Sequence, residues 1–77
     1  MIFDYRVIKR KDGSFIVGEV YYNEEDNSIV FWDPDPVGIE AESLEHLKEE
    51  LDYVKQAFNK PILEEDKNGM LVEMVQQ

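Results

Sequence analysis

Carboxylate-rich segments are the part of this sequence whose residue types and spacing could support chemistry. Glu24-Glu25-Asp26 and Glu64-Glu65-Asp66 form two short acidic runs. Paired carboxylates can act as a general acid and base or hold Mg²⁺, but only when they are buried and face one another. Both runs fall where turns are expected, so we interpret them as solvated turn residues. A small acid- or metal-dependent hydrolase built on such carboxylates is the alternative hypothesis.

Two further patterns match metal sites only in part. The segment Asp33-Pro34-Asp35-Pro36-Val37-Gly38 has the spacing that opens an EF-hand calcium loop. Its fifth position is Val37 and its twelfth is Leu44, where that loop needs oxygen ligands. His46 is the single histidine and the sequence has no cysteine, so no nitrogen and sulfur donor set for Zn²⁺ is present. The sequence therefore predicts no catalytic residue, no metal ligand and no cofactor.

The composition describes a short, strongly acidic chain. Its 77 residues include eight basic and eighteen acidic side chains, a formal net charge of −10. Direct binding to nucleic acid is not expected, because Lys and Arg supply the affinity for phosphate backbones. The charge serves solubility alone or attracts a basic partner. The start shows no signal-peptide pattern, and no apolar run approaches the roughly 20 residues of a membrane span. We therefore expect one cytoplasmic domain, residues 1–77, that binds neither a membrane nor a small-molecule substrate.

Residues 43–58 predict the one long amphipathic helix. Their apolar side chains recur every three or four positions, which places them on one stripe. Ser43 is a suitable N-cap, and Asn59-Lys60-Pro61 is a typical helix end. We expect this stripe to pack on the sheet formed upstream. The expected core contacts join Leu47, Leu51, Val54 and Phe58 to Phe3, Tyr5, Val7 and Val20.

Three β-rich segments precede this helix, at residues 2–10, 14–23 and 29–32. Asp12-Gly13 predicts a two-residue hairpin loop, because a type I′ turn needs positive φ at both positions. That loop would place Phe3 opposite Tyr22 and Tyr5 opposite Val20. A two-residue loop at Asp26-Asn27 would place Tyr22 opposite Phe31 and Tyr21 opposite Trp32, although longer loops fit as well. Residues 70–75 could form a further strand or a loosely held tail. We therefore predict an α+β fold, a three-stranded antiparallel meander (β-β-β-α) packed on one helix, with a C-terminal fourth strand as the open alternative.

A single helix covers only one face of such a sheet, which leaves aromatic residues on the other. In the expected register Phe15, Tyr21 and Trp32 fall on or near the uncovered face, close to the turn that carries Glu24 and Glu25. The C-terminal segment could fold over these rings, or they could simply be exposed. The alternative is a contact surface for a small basic protein or for a second copy of the chain. In that hypothesis the rings supply affinity and the carboxylates speed association.

A series of short motifs also occurs in a characteristic order. They are Tyr5-Arg6-Val7-Ile8, Lys11-Asp12-Gly13, Phe15-Ile16-Val17, Asp33-Pro34-Asp35-Pro36-Val37-Gly38 and Glu42-Ser43-Leu44-Glu45. Over about residues 5–58 this order resembles the N-terminal domain of HicB-type antitoxins, with Val37 as an extra residue before Gly38. The resemblance implies a β-β-β-α-β fold similar to a truncated ribonuclease H without its acidic active site. It also implies binding of a small basic RNA-cleaving toxin, so we predict a non-catalytic protein-interaction module.

Overall fold

Five strands form one mixed sheet, and one helix lies against it. In the computed structural model, which describes residues 2–74, the strands are β1 (Ile2–Lys9), β2 (Phe15–Tyr22), β3 (Ile29–Trp32), β4 (Leu63–Glu65) and β5 (Leu71–Glu73). Helix α1 (Leu44–Lys55) continues into a 3₁₀ helix at Gln56–Asn59. The strand order is β3-β2-β1-β4-β5. Among residues 2–74, no helix has the length and apolar character needed to cross a membrane.

The predicted three-stranded antiparallel meander is wrong, because two strands follow the helix and one of them pairs in parallel. β4 lies beside β1 in the same direction, with Leu63 opposite Ile8. β5 then pairs antiparallel with β4. Leu71–Glu73 is thus a strand, whereas Val75 lies outside the described residues. Each of the two added strands has only three residues, too few for an alternating pattern to reveal them.

The β1–β2 hairpin has a three-residue loop, where two residues were predicted. The Arg10 N–H donates to the Ser14 carbonyl at 2.8 Å, which closes the loop around residues 11–13. Gly13 has φ +90°, a conformation that favours glycine. The Asp12 carboxylate accepts hydrogen bonds from the Ser14 N–H and hydroxyl at 2.9 and 2.6 Å. This loop is the common three-residue alternative, and it shifts the strand register by one residue.

The register shift changes which residues share a face of the sheet. Phe3 lies opposite Tyr21 and Tyr5 opposite Glu19, where Tyr22 and Val20 were predicted. Side chains alternate between faces along a strand, so Val20 points away from the helix.

The sheet curls into a half-barrel whose concave face holds the larger part of the core. The most deeply buried side chains there are Ile8, Val20 and Leu63. Half-buried Trp32 packs against this group and donates its indole N–H to the Gly69 carbonyl at 3.0 Å. That bond links the end of β3 to the turn between β4 and β5. The curl is what allows a small sheet to enclose apolar side chains without a second layer.

The helix covers only part of the convex face. Its N-cap is Ser43 as predicted, with the hydroxyl accepting the His46 N–H at 3.1 Å. Val54 and Ala57 are buried against Tyr5 and Val7 on β1.

The predicted apolar stripe of residues 43–58 is wrong at both of its ends and at its centre. Leu44 is 84% exposed, Leu51 is 48% exposed and Phe58 is 69% exposed. After Lys55 the chain tightens to three residues per turn, which directs Ala57 rather than Phe58 toward the sheet. Helix and sheet therefore meet near the C-terminal end of α1, and Phe3, Phe15 and Phe31 on the same face stay accessible to solvent.

Candidate functional site

A row of contacting aromatic rings crosses the convex face from the helix to the edge strand. Phe3 lies opposite Tyr21, and Tyr21 opposite Phe31, so β1, β2 and β3 contribute one ring each to a single rung. Their ring centroids are 5.7 and 4.4 Å apart, and the last pair is stacked. Tyr5 joins Phe3 to Tyr53 through edge-on contacts of 5.7 and 5.2 Å. We call these five residues the aromatic strip.

Much of the aromatic strip is accessible to solvent. Phe3 is 45% exposed, Phe31 49% and Tyr53 46%, whereas Tyr5 is buried beneath its neighbours. Isolated exposed apolar residues are common on protein surfaces, but a contiguous patch more often marks an interaction site. The strip is contiguous, and the fold alone does not require its rings to be exposed.

Two carboxylates are held against the strip by tyrosine hydroxyls. The Tyr21 hydroxyl donates to Glu19 Oε2 at 3.0 Å, and the Tyr5 hydroxyl donates to Glu50 Oε1 at 3.2 Å. The hydrogen bond to Glu19, followed by desolvation, raises the pKa of Tyr21, and Asp33 adds to this effect. Burial, followed by the charge of Glu50, raises the pKa of Tyr5.

No described Lys or Arg neutralises these carboxylates. The ion pairs that the structure shows within residues 2–74 join Lys60 to Asp4 and Lys11 to Glu65, and neither pair includes Glu19 or Glu50. Glu19 and Glu50 are both half-buried. The strip therefore combines accessible aromatic surface with negative charge that has no cationic partner among the described residues.

The predicted aromatic site residues divide between three places. Tyr21 lies at the centre of the aromatic strip, on the helix side of the sheet and not on the opposite face where it was predicted. Phe15 is 59% exposed on the same face but at the other end of β2, about 20 Å away at 3.3 Å per residue. Trp32 is on the concave face, opposite Val20, where it contributes to the core. The prediction that Trp32 shares a surface with Phe15 and Tyr21 is wrong, because the register differs by one residue from the predicted one.

Glu24 and Glu25 occupy the exposed turn between β2 and β3. This turn follows Tyr22, so it lies at the same end of the sheet as the Phe3–Tyr21–Phe31 rung. The Asn23 side chain accepts the Glu25 N–H at 2.8 Å. The turn therefore borders the aromatic strip at one end.

Sequence reasoning missed the residues that come together through the observed strand register and through the orientation of the helix on the sheet. Phe3 and Tyr5 were assigned to the core, and Phe31 was placed opposite Tyr22. A three-residue loop at residues 11–13 would have aligned Phe3 with Tyr21. Along α1 and the 3₁₀ helix that follows it, the spacing of Glu50, Tyr53 and Ala57 was the available signal for a second, sheet-facing stripe.

The acidic runs singled out in the sequence lie apart, the first in the turn between β2 and β3 and the second at the end of β4 and in the turn after it. Within residues 2–74 no group of three or more His, Cys, Asp or Glu side chains is placed to hold a metal ion. In the second acidic run, Glu65 accepts the Lys11 N–H at 3.2 Å, and the Asp66 carboxylate accepts the Asn68 and Met70 N–H groups. These acidic side chains stabilise turns and strand ends.

Comparison with known proteins identifies no relative of this chain. No protein-family model matches the sequence, and neither the curated proteins nor the solved structures contain a significant match to it.

Proposed function

We propose that this chain is a non-catalytic protein-interaction module whose aromatic strip binds a basic partner protein. The observation that carries the proposal is the strip itself: five contacting rings, three of them half exposed, beside two carboxylates without a cationic partner among the described residues.

Aromatic side chains suit the centre of such an interface. They bury large areas, they lose little conformational freedom, and their faces attract cations. Tyr21 and Phe31 hold each other in place by stacking, with 4° between their rings. A partner would thus bind a surface that is already ordered, so little binding free energy would be lost in ordering it.

The charge of the chain favours a basic partner over a second copy. The net charge is −10, so two copies of the chain would repel each other at low ionic strength, where salt screens their charges only weakly. The resemblance to HicB-type antitoxins supports the same kind of partner, a small basic toxin. The observed order β-β-β-α-β-β begins with the order that this resemblance implies. A cytoplasmic location is part of the proposal, since the sequence contains no cysteine.

Affinity capture with matched variants tests the proposal. The full chain serves as bait against native lysate in three forms: unchanged, with Phe31→Ser, and with Phe15→Ser. Both substitutions remove an exposed phenylalanine from the convex face, but only Phe31 belongs to the aromatic strip. We expect a basic protein to be captured by the unchanged chain and by the Phe15 variant, and at least about tenfold less by the Phe31 variant.

Stability measurements complete this experiment. The stacked pair is worth about 0.5–1.5 kcal/mol beyond the area that it buries, and Phe31 is already 49% exposed, so the Phe31 variant is expected to remain folded. Capture of the same proteins by all three baits, or capture of acidic proteins only, would contradict the proposal.

A further inference from the structure

We infer that the group recognised by the aromatic strip is an arginine guanidinium, bound beside Tyr5 by Glu19 and Glu50. The inference rests on the proposed function, since it specifies which chemical group of a basic partner occupies that surface.

Two carboxylates converge on Tyr5 from different elements. Glu19 lies directly opposite Tyr5 on β2, where facing side chains of an antiparallel pair have Cβ atoms about 4.5–5.5 Å apart. Glu50 reaches Tyr5 from α1 and accepts its hydroxyl proton in a 3.2 Å hydrogen bond. The buried ring of Tyr5 therefore has one carboxylate on the sheet side and another on the helix side.

Each carboxylate keeps one oxygen free for a ligand. Tyr21 occupies Glu19 Oε2 and Tyr5 occupies Glu50 Oε1. The second oxygen of each carboxylate makes no hydrogen bond to any residue between 2 and 74 that the structure describes. The tyrosine hydroxyls fix the orientation of the carboxylates, while the charge stays uncompensated in a half-buried setting. A cation placed there would gain Coulomb energy in a partly desolvated site.

Arginine fits this arrangement better than lysine. A guanidinium is planar, offers five N–H donors to separate acceptors, and stacks on aromatic faces. The neighbouring rings of Phe3 and Tyr53 are half exposed on either side of Tyr5. A lysine ammonium is a compact charge that is strongly hydrated, so it would gain less from flat rings beside two carboxylates.

Two synthetic peptides and the full chain test the inference. The peptides share a flexible Gly-Ser sequence and differ only in carrying an arginine pair or a lysine pair. Binding is followed by amide shifts in NMR spectra of the labelled chain. We expect the arginine peptide to bind at least about tenfold more tightly, with the largest shifts near Tyr5, Glu19 and Tyr53.

Charge-matched variants locate the binding group. Glu19→Gln and Glu50→Gln should each weaken binding of the arginine peptide by about fivefold or more. Glu25→Gln removes the same charge from an exposed turn and should change affinity by less than about twofold. Thermal unfolding of the three variants shows whether each remains folded, and the comparison of the two peptides on the unchanged chain is independent of the variants.

The outcomes separate this inference from the proposed function. Equal affinities of the two peptides at the strip would overturn the arginine assignment and leave a basic partner in place. Equal effects of the three glutamine variants would overturn it as well. Binding that leaves the residues of the strip unshifted would count against both.

Discussion

Arg6 is a buried cation in an acidic chain, and its contacts explain its position. Its side chain is only 8% exposed. One terminal nitrogen donates to the Tyr22 hydroxyl at 2.7 Å, and the other donates to the Pro61 carbonyl at 2.6 Å. The guanidinium thus connects β1 to β2 and to the segment that leads into β4. Arg6 stabilises the parallel pairing that composition and periodicity did not predict.

Substitution of Arg6 by lysine tests this role. A single ammonium group cannot reach both acceptors in the same geometry, so Arg6→Lys should lower the free energy of unfolding by about 1–3 kcal/mol. Urea denaturation measures the change, with the exposed Lys48→Arg as a control expected to stay within about 0.5 kcal/mol. Equal stability of the two variants would mean that water replaces one of these hydrogen bonds at no cost.

The hydrogen bond between Tyr21 and Glu19 predicts a pH dependence. The pKa of Tyr21 is raised above its ordinary value of 10.0, so the folded state holds the phenolic proton more tightly than the unfolded chain does. Its contribution to stability is complete below about pH 10 and is lost as the pH rises through the folded pKa. Glu19→Gln should lower the Tyr21 pKa, whereas Glu25→Gln should leave it unchanged. NMR titration of the Tyr21 ring follows both variants, and an unchanged Tyr21 pKa in the first would exclude the hydrogen bond as the cause.

At the scale of elements, sequence patterns located segments better than they paired them. The bounds of β1 and β2 agree with the predictions to within one residue, and the N-cap is Ser43 as predicted. The pairing did not agree, because Asp12-Gly13 suits both a two-residue loop and a three-residue loop with glycine in the left-handed conformation. A slip of one residue reverses the face of every side chain in a strand. Because of this one-residue error, the prediction placed Trp32 on the binding surface and left Phe3 out of that surface.

The pairing of β4 with β1 could not be predicted for a different reason. Residues 63–65 are too few for a period to be read, and their partner lies more than fifty positions earlier in the chain. Of the predicted site residues only Tyr21 belongs to the aromatic strip, since the strip exists only when three strands align in the observed register. Local signals specify turns and caps, whereas the site depends on alignment between distant segments.

Two leucines distinguish the observed core from the predicted one. Leu63 on β4 is 1% exposed, while Leu51 on α1 is 48% exposed. Leu63→Ala should cost about 2–5 kcal/mol, because it removes a buried side chain from the concave cluster. Leu51→Ala, the same change of side chain, should cost less than about 1 kcal/mol. Chemical denaturation of the two variants measures the difference, and a larger loss from Leu51→Ala would place the helix in another orientation.

At the scale of the whole molecule, charge compensation differs between the two ends of the sheet. Basic side chains gather at the hairpin end, where Lys9, Arg10, Lys11 and Lys67 surround a depression together with Asp12, Glu64 and Glu65. The other end carries the aromatic strip and the acidic turn between β2 and β3, and its carboxylates Glu19 and Glu50 lack cationic partners among residues 2–74. A basic partner would therefore be attracted toward the strip more than toward the hairpin.

This asymmetry predicts how salt acts on the proposed complex. Long-range attraction accelerates encounter, whereas contacts buried in the interface control dissociation. Raising the ionic strength from about 0.01 M to about 1 M shortens the Debye length from about 30 Å to about 3 Å. The association rate constant of the captured basic partner should fall by about tenfold or more over this range, with the dissociation rate constant changing much less.

Charge reversal at Glu24 and Glu25 should likewise slow association without speeding dissociation, while Phe31→Ser should chiefly speed dissociation. Stopped-flow measurements separate the two rate constants, and a dissociation rate that rises with salt as steeply as association falls would indicate that ion pairs, and not aromatic rings, hold the complex together.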